Sequence, residues 1–438
     1  MDRFMRVIAF LVLVILTIAT INLSSCNGDV VCINSEKQAL LCFKREFKDP
    51  SNKLSSWDVE DDCCKWAGVV CDKLNGHVIE LYLQNPNSTT PVVGKVHQSS
   101  VLDGKIDPSL VNLTCLNYLD LSQNDFGGIH IPRFIESLAN LHYLSYPGQD
   151  LEERSPTSSE PVNLNDLLSL NLHQNGFEGP LPGSLWNMTN LRDLDLSKNN
   201  FNSIIPFSLY SCSHLESLNL GHNQFQGAIS SNVGNLTSVT ILDLSYNKLE
   251  GRIPMSMGNL CNLRVINLSS NKLVVQVLDV LKSLSGCILE SLETLGLWEN
   301  KLFGHFTERL GQFKNLRELY FQNNLISGPI PMSLGKLSSI VVLDLSYNKL
   351  NGTLPKSLGH LSKLGILYIS YNMLEGVVSE NHFANLTSLV ELLASVNQLS
   401  FDASPNWIPP FQLELVYLRS WQLGPQFPIF GYSHRSIF

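Results

Sequence analysis

The sequence predicts an α/β repeat: a right-handed solenoid of stacked coils, closed at its amino end by a helical, disulfide-stapled cap. Three observations predict it. The pattern L-x-x-L-x-L-x-x-N recurs with its last residue at Asn175, Asn199, Asn223, Asn247 and Asn271, then at Asn300, Asn324, Asn348 and Asn372, in steps of 24, followed by Asn397 and preceded by Asn124. A glycine falls twenty residues before the next ladder asparagine at Gly179, Gly227, Gly251, Gly328 and Gly352, and Gly104 has the same phase. Residues 32–77 do not fit the repeat and combine an amphipathic segment with clustered Cys and Trp. Recurrence in register at this period is the signature of a leucine-rich repeat.

The residue types follow from the geometry of a coil. Leu194 and Leu196 flank Asp195, so a short strand points both leucines inward and the acid outward. One coil cannot bury its own leucines; stacked coils share a core and line up their strands in a parallel sheet. The asparagine that follows can satisfy backbone groups that the buried turn leaves unpaired. Three weaker copies put Pro86, Gln149 and Trp421 in the asparagine slot, giving about fourteen coils over 78–421. Pro86 and Trp421 lack a carboxamide and are expected to leave the ladder unsatisfied. The repeat is irregular at 87–100 and at 285–289, where residues are inserted, and at 141–163, where Pro147, Pro156 and Pro161 disturb the register.

The remaining elements follow in chain order. Arg3 and Arg6 precede an apolar run from Val7 to Ile21, followed by Ser24 and Ser25. The run is too short to span a bilayer, so residues 1–25 read as a signal peptide, with an uncleaved signal anchor as the alternative. No later stretch is apolar enough to cross a membrane, and the mature chain is expected in an oxidising compartment. In the cap, 26–77, Ser35 and Gln38 have capping-box spacing, and Leu40, Phe43 and Phe47 make one apolar helix face that Asp49-Pro50 should end. Past Trp421, residues 422–438 diverge from the repeat. The chain stops in mid-coil, so Leu413, Val416 and Leu418 are expected to be exposed and the product to self-associate.

The cap residues also carry a resemblance. Cys32-Ile-Asn-Ser-Glu-Lys-Gln-Ala-Leu-Leu-Cys-Phe-Lys, Asp49-Pro50-Ser51, Leu54-Ser-Ser-Trp57, Asp62-Cys-Cys-Lys-Trp66-Ala-Gly-Val-Val-Cys71 and Gly76-His-Val-Ile-Glu-Leu81 resemble the cap of plant leucine-rich-repeat receptor-like proteins. Within that family the chain is most similar to the group of receptors for a fungal ethylene-inducing xylanase. The resemblance runs from the signal peptide to about Pro428 and implies a solenoid of the plant extracellular type. It implies that Cys32 pairs with Cys63 and Cys64 with Cys71. The carboxy-terminal coils, membrane helix and cytosolic tail of the family have no counterpart here.

Composition narrows the function. With 44% hydrophobic residues the chain of 438 is not disordered, and a net charge of −9 argues against a nucleic-acid partner. No phosphate loop, kinase motif set, metal-ligand spacing or cofactor motif is present in the sequence; His214 and His222 read as surface or turn histidines. Cys42, Cys115 and Cys212 read as buried thiols. Cys261 and Cys287, 26 residues apart, leave two readings open: a bridge between adjacent coils, or two buried thiols. Function should therefore lie on the concave face. Trp298, Arg317, Tyr320, Gln322, Tyr347, Tyr368 and Tyr371 are the candidate ligand-binding residues, because aromatic and Arg side chains anchor binding hot spots. Tyr417 extends that set, while the recurrences Asp195, Asp243, Asp344 and Tyr246, Tyr347, Tyr371 read as features of the repeat itself. N-x-S/T sequons at Asn112, Asn187, Asn235 and Asn385 share one phase off the strand, Asn87 and Asn351 are further sequons, and Asn267 lies on a strand.

The expected role is a non-catalytic immune ectodomain that recognises an extracellular peptide, protein or glycan elicitor. By resemblance, it would signal through adaptor and co-receptor kinases at the plasma membrane. The alternative is a secreted inhibitor of a pathogen wall-degrading enzyme, similar to polygalacturonase-inhibiting proteins. An extracellular enzyme has only the isolated histidines in its favour.

Overall fold

The computed structural model describes residues 30–84, 102–124, 134, 137–146, 166–175, 177–181, 188–404 and 406–423. The architecture is a right-handed solenoid. Among the described residues its main sheet has fifteen strands in sequential order, from Val69–Cys71 and Val78–Tyr82 to Leu415–Tyr417. The first pair is antiparallel and each later neighbour is parallel. A second, six-stranded parallel sheet runs beside it from Phe303–His305 to Gln422–Leu423. Short 3-10 turns such as Ser231–Asn235 and Lys356–His360 complete the coils. The inward positions, Leu194, Leu218, Leu242, Ile266, Leu295, Leu319, Leu343 and Leu367, are buried in one continuous core.

The asparagine ladder works through both ends of the carboxamide. Asn199 Nδ2 donates to Leu172 O at 2.8 Å in the preceding coil and to Leu196 O at 2.9 Å in its own. Its Oδ1 accepts from the N–H groups of Asn175 and Phe177, each at 3.0 Å. The same bonds recur through Asn397. Trp421 corrects the sequence expectation: its indole Nε1–H donates to Ala394 O at 2.8 Å, the carbonyl 27 residues back that the asparagine amide reaches elsewhere. A different donor thus continues the ladder.

The residue before the ladder position is left-handed in every coil whose ladder position is described, from Gln123 at φ 59° through Tyr347 at 51° and Tyr371 at 54° to Ser420 at 76°. A side chain is disfavoured there. The turn is held because its N–H bonds across coils, as Tyr347 N–H does to Ser370 O and Tyr371 N–H to Ser395 O, both at 2.9 Å.

The cap helix spans Asn34–Arg45 and buries Glu36, Ala39, Leu40, Leu41 and Phe43. Ser35 and Gln38 form no capping box: the N-cap is Ile33 and has no side-chain cap bond. The helix ends before Asp49, whose carboxylate instead accepts from the N–H groups of Lys53 and Leu54 at 2.9 and 2.7 Å. Cys42 is exposed, because helix phase turns it away from the face shared by Glu36, Ala39, Leu40 and Phe43. Trp57 and Trp66 stack at 5.4 Å under the first coil. The buried Glu36 carboxylate ties helix to sheet, accepting Val78 N–H at 2.7 Å and meeting His77 Nδ1 at 2.7 Å.

Disulfides join Cys32 to Cys63, Cys64 to Cys71 and Cys261 to Cys287. The last resolves the open choice in favour of a bridge between neighbouring coils. Of the five inserted residues near 285–289, the first three lie between the helices Val277–Ser283 and Ile288–Ser291 and the last two open the second; these helices replace the 3-10 turn of that coil. Cys212 is buried, but Cys115 is only half-buried. Leu413 and Val416 in the last described coil are buried and Leu418 is half-buried, contrary to the exposure expected of them. Pro86, Gln149, the irregular segment 87–100 and most of 141–163 lie outside the described residues, as do Asn87, Asn187, 1–25 and all of 422–438 beyond Leu423.

Candidate ligand-binding face

Successive coils place equivalent residues side by side on the concave face, so function can be read slot by slot. The third residue of each main-sheet strand forms one row: Asp120, Ser145, Asn171, Asp195, Asn219, Asp243 and Asn267 in the amino-terminal part. Most of these side chains serve the backbone. Asp195 Oδ1 accepts from Ser197 N–H at 2.9 Å, and Asp243 Oδ1 accepts from Ser245 N–H at 2.8 Å. The Asp recurrence is therefore a turn device.

The row changes character in the carboxy-terminal part. It continues as Gly296, Tyr320, Asp344, Tyr368, Leu393 and Tyr417, in register from strand to strand. Asp344 keeps the turn role, accepting from Ser346 N–H at 3.0 Å and from its hydroxyl at 2.5 Å. Burial pushes its carboxyl above the ordinary value, and the Ser346 bonds offset part of that rise. Tyr368 donates its hydroxyl to Glu391 Oε2. Burial, followed by the bond to Glu391, raises the Tyr368 hydroxyl well above the usual phenol range.

Tyr368, Leu393 and Tyr417 of this row line a depression of about 370 Å³ in the concave face. Of the candidates, Tyr347, Tyr368 and Tyr371 line it, together with Tyr417. Tyr347 and Tyr371 stack at 4.3 Å and remain 54% and 45% exposed, so they form a rim. The other candidates lie elsewhere. Trp298 packs edge-on against Tyr246 at 5.3 Å, Tyr320 donates its hydroxyl to Glu318 at 3.4 Å, Arg317 is exposed beside its strand, and Gln322 is half-buried. His222 stacks on Tyr246 at 4.0 Å and His214 Nδ1 sits 3.2 Å from Thr189 O, both turn positions.

Arg419 is a lining residue that sequence reasoning missed. Its slot holds Ser346, Ser370 and Ser395 in the preceding coils. Comparing that slot across coils gives the signal, since only there does a cation replace serine. The side chain of Arg419 makes no ion pair among the described residues. Its backbone N–H donates to Ser395 Oγ at 3.0 Å. No metal set competes for the cap: the sulfurs of Cys32, Cys63, Cys64 and Cys71 lie within 4.8 Å of one another but are bonded in pairs.

Three sequence profiles match this arrangement. The leucine rich repeat N-terminal domain covers 33–72, a leucine rich repeat profile covers 213–273 and 338–399, and a further one covers 166–188, 190–212 and 315–337. The chain belongs to the leucine-rich-repeat proteins. This leucine-rich-repeat chain is similar to plant receptor-like proteins. Receptor-like protein EIX2 of Solanum lycopersicum is 44% identical over 126 residues, 29% of this chain and 12% of that protein. Receptor-like protein EIX1 of the same plant is 40% identical over 148 residues, 33% of this chain and 14% of that protein. The match thus spans a small part of these relatives. Among solved structures, the Arabidopsis receptor kinase HAESA, in complex with the peptide hormone IDA and the co-receptor SERK1, superposes with a TM-score of 0.70 at 30% identity. That match covers 89% of this chain and 58% of that one. The PEPR1–AtPEP1 structure gives 0.65 at 28% identity, covering 89% and 59%.

Proposed function

We propose that this leucine-rich-repeat chain is the recognition portion of a plant cell-surface receptor-like protein, binding an extracellular elicitor through its concave face without catalysing a reaction. The observation that carries the reading is the depression lined by Tyr347, Tyr368, Tyr371, Tyr417 and Arg419, where the turn-forming Asp/Asn row gives way to aromatic side chains. Aromatic and Arg residues supply most of the energy in many interfaces. Similarity to EIX2, and to ectodomains solved with peptide ligands, supports the same role. In this reading the chain reaches the cell exterior by the secretory route and passes its signal to partner kinases.

The test is a binding panel of purified fungal xylanases, polygalacturonases and synthetic peptides against the immobilised chain. Tyr368→Ala combined with Tyr417→Ala should weaken the captured ligand by at least ~30-fold, the loss of about 2 kcal/mol at an aromatic anchor, with circular dichroism unchanged. Unchanged affinity in the double variant removes the concave basin from recognition. Inhibition of a captured polygalacturonase would favour the inhibitor role instead.

A further inference from the structure

We propose that the basin takes an extended peptide carrying one apolar side chain next to a carboxylate. The inference deepens the recognition role above and rests on it. Tyr368, Leu393 and Tyr417 occupy one slot on three adjacent strands, paired in register. Neighbouring strands lie about 4.8 Å apart, so the two tyrosines stand about 10 Å apart with Leu393 between them as a floor. That gap admits one aromatic or branched side chain between two ring walls. The hydroxyl bond to Glu391 holds the Tyr368 wall in place.

The other half of the site is polar and positive. Ser370, Ser395 and Arg419 follow one another across the same three coils and line the same basin. Ser395 Oγ accepts Arg419 N–H at 3.0 Å, which leaves its hydroxyl hydrogen free to donate. The carboxylates of nearby strands are engaged: Asp344 by Ser346 and Glu391 by Tyr368. Arg419 is exposed and has no ionic partner among the described residues. A guanidinium beside free hydroxyl donors suits a carboxylate. An apolar floor two residues from that donor set suits an adjoining apolar side chain. A saccharide would place hydroxyls on Leu393, where they find no partner.

Synthetic octapeptides on a Gly-Ser background test this by fluorescence anisotropy. One ends in Phe with a free carboxylate, one is its amide, one is amidated with an internal Phe-Asp, and one replaces Phe by Ser while keeping the free carboxylate. A galacturonate oligomer is the fifth probe. At least one Phe peptide bearing a carboxylate should bind about tenfold tighter than both the Phe amide and the Ser peptide. Which of the two binds identifies a terminal or a side-chain carboxylate. Arg419→Gln should erase the advantage over the amide but keep the preference for Phe, and Leu393→Asn should erase the preference for Phe. Equal binding of acid and amide, indifference to Arg419→Gln, binding of the galacturonate oligomer instead, or no binding by any peptide overturns the inference. If those results come while Tyr368→Ala with Tyr417→Ala still abolishes binding of a panel ligand, recognition by this face stands and only the ligand class is wrong.

Discussion

At the scale of single residues, the solenoid is held by hydrogen-bonding groups whose chemical identity matters less than their position. Trp421 makes the point: an indole N–H reaches Ala394 O where an asparagine amide serves in the coils before it. Trp421→Phe should keep most of the packing and remove one of the two bonds at Ala394 O, which Asn397 Nδ2 also reaches at 3.1 Å, costing about 0.5–1.5 kcal/mol. Faster hydrogen exchange at Ala394–Val396, with unchanged exchange near Asn199, checks it. Asp344 illustrates the opposite balance. Its carboxyl is raised by burial, so the unfolded chain ionises first and the group opposes folding above the ordinary carboxylate range. Asp344→Asn keeps the acceptor for Ser346, as Asn219 and Asn267 do in their coils for the second N–H onward. The thermal midpoint of the variant should exceed wild type at pH 7, and the gain should vanish as the pH falls below about 4. An equal gain at pH 3 would mean the effect is not ionisation.

At the scale of elements, the cap and the coil turns carry the testable load. The cap covers the first coil with its helix, Trp57 and Trp66, and Cys32–Cys63 closes the loop that brings these parts together. Cys63→Ser should cut secretion severalfold and lose about 3–4 kcal/mol in the chain-entropy picture of loop closure. Secretion at wild-type yield would show that the helix face suffices alone. Asn112, Asn235 and Asn385 are exposed at turns off the strand, whereas Asn267 lies half-buried on Val265–Asn267 with its Nδ2 on Asp243 Oδ2 at 3.2 Å. Intact-glycopeptide mass spectrometry should find the first three occupied and Asn267 largely empty; the reverse order would contradict the orientation of the coils. The elements also show what was legible beforehand. Leucine and asparagine spacing reveals the strands because burial repeats with the coil. Ser35, Cys42 and the end of the cap helix were misjudged because their environment depends on how the helix docks on Val78 and Pro108–Asn112, which no local spacing encodes. Tyr347, Tyr368 and Tyr371 were legible as concave-face aromatics, although Tyr347 and Tyr371 also read as a recurrence of the repeat itself. Arg419 escaped because its signal is a departure from serine two residues before the ladder position, at Ser346, Ser370 and Ser395, and not an aromatic departure within a strand.

At the scale of the whole molecule, the proposed role makes a stack of near-identical coils a recognition surface only where the repeat is broken. The amino-terminal concave row is occupied by side chains that serve their own turns. The carboxy-terminal row is free of that duty at Tyr320, Tyr368, Leu393 and Tyr417, and a depression forms there. Glycans at the turn sequons Asn112, Asn235 and Asn385 would leave this face open. The most direct test of the central claim uses a glycan as a wedge. Tyr371→Asn with Met373→Thr completes a sequon on the exposed rim of the basin, at a left-handed turn position that asparagine tolerates. Binding of a fungal xylanase or peptide captured by the wild-type chain is then measured for this variant, secreted with and without glycosylation, beside Tyr371→Asn alone. Concave recognition predicts that the glycosylated form loses binding entirely while the unglycosylated forms keep a weakened interaction. Full binding by a chain shown by mass spectrometry to carry the glycan at position 371 would contradict it.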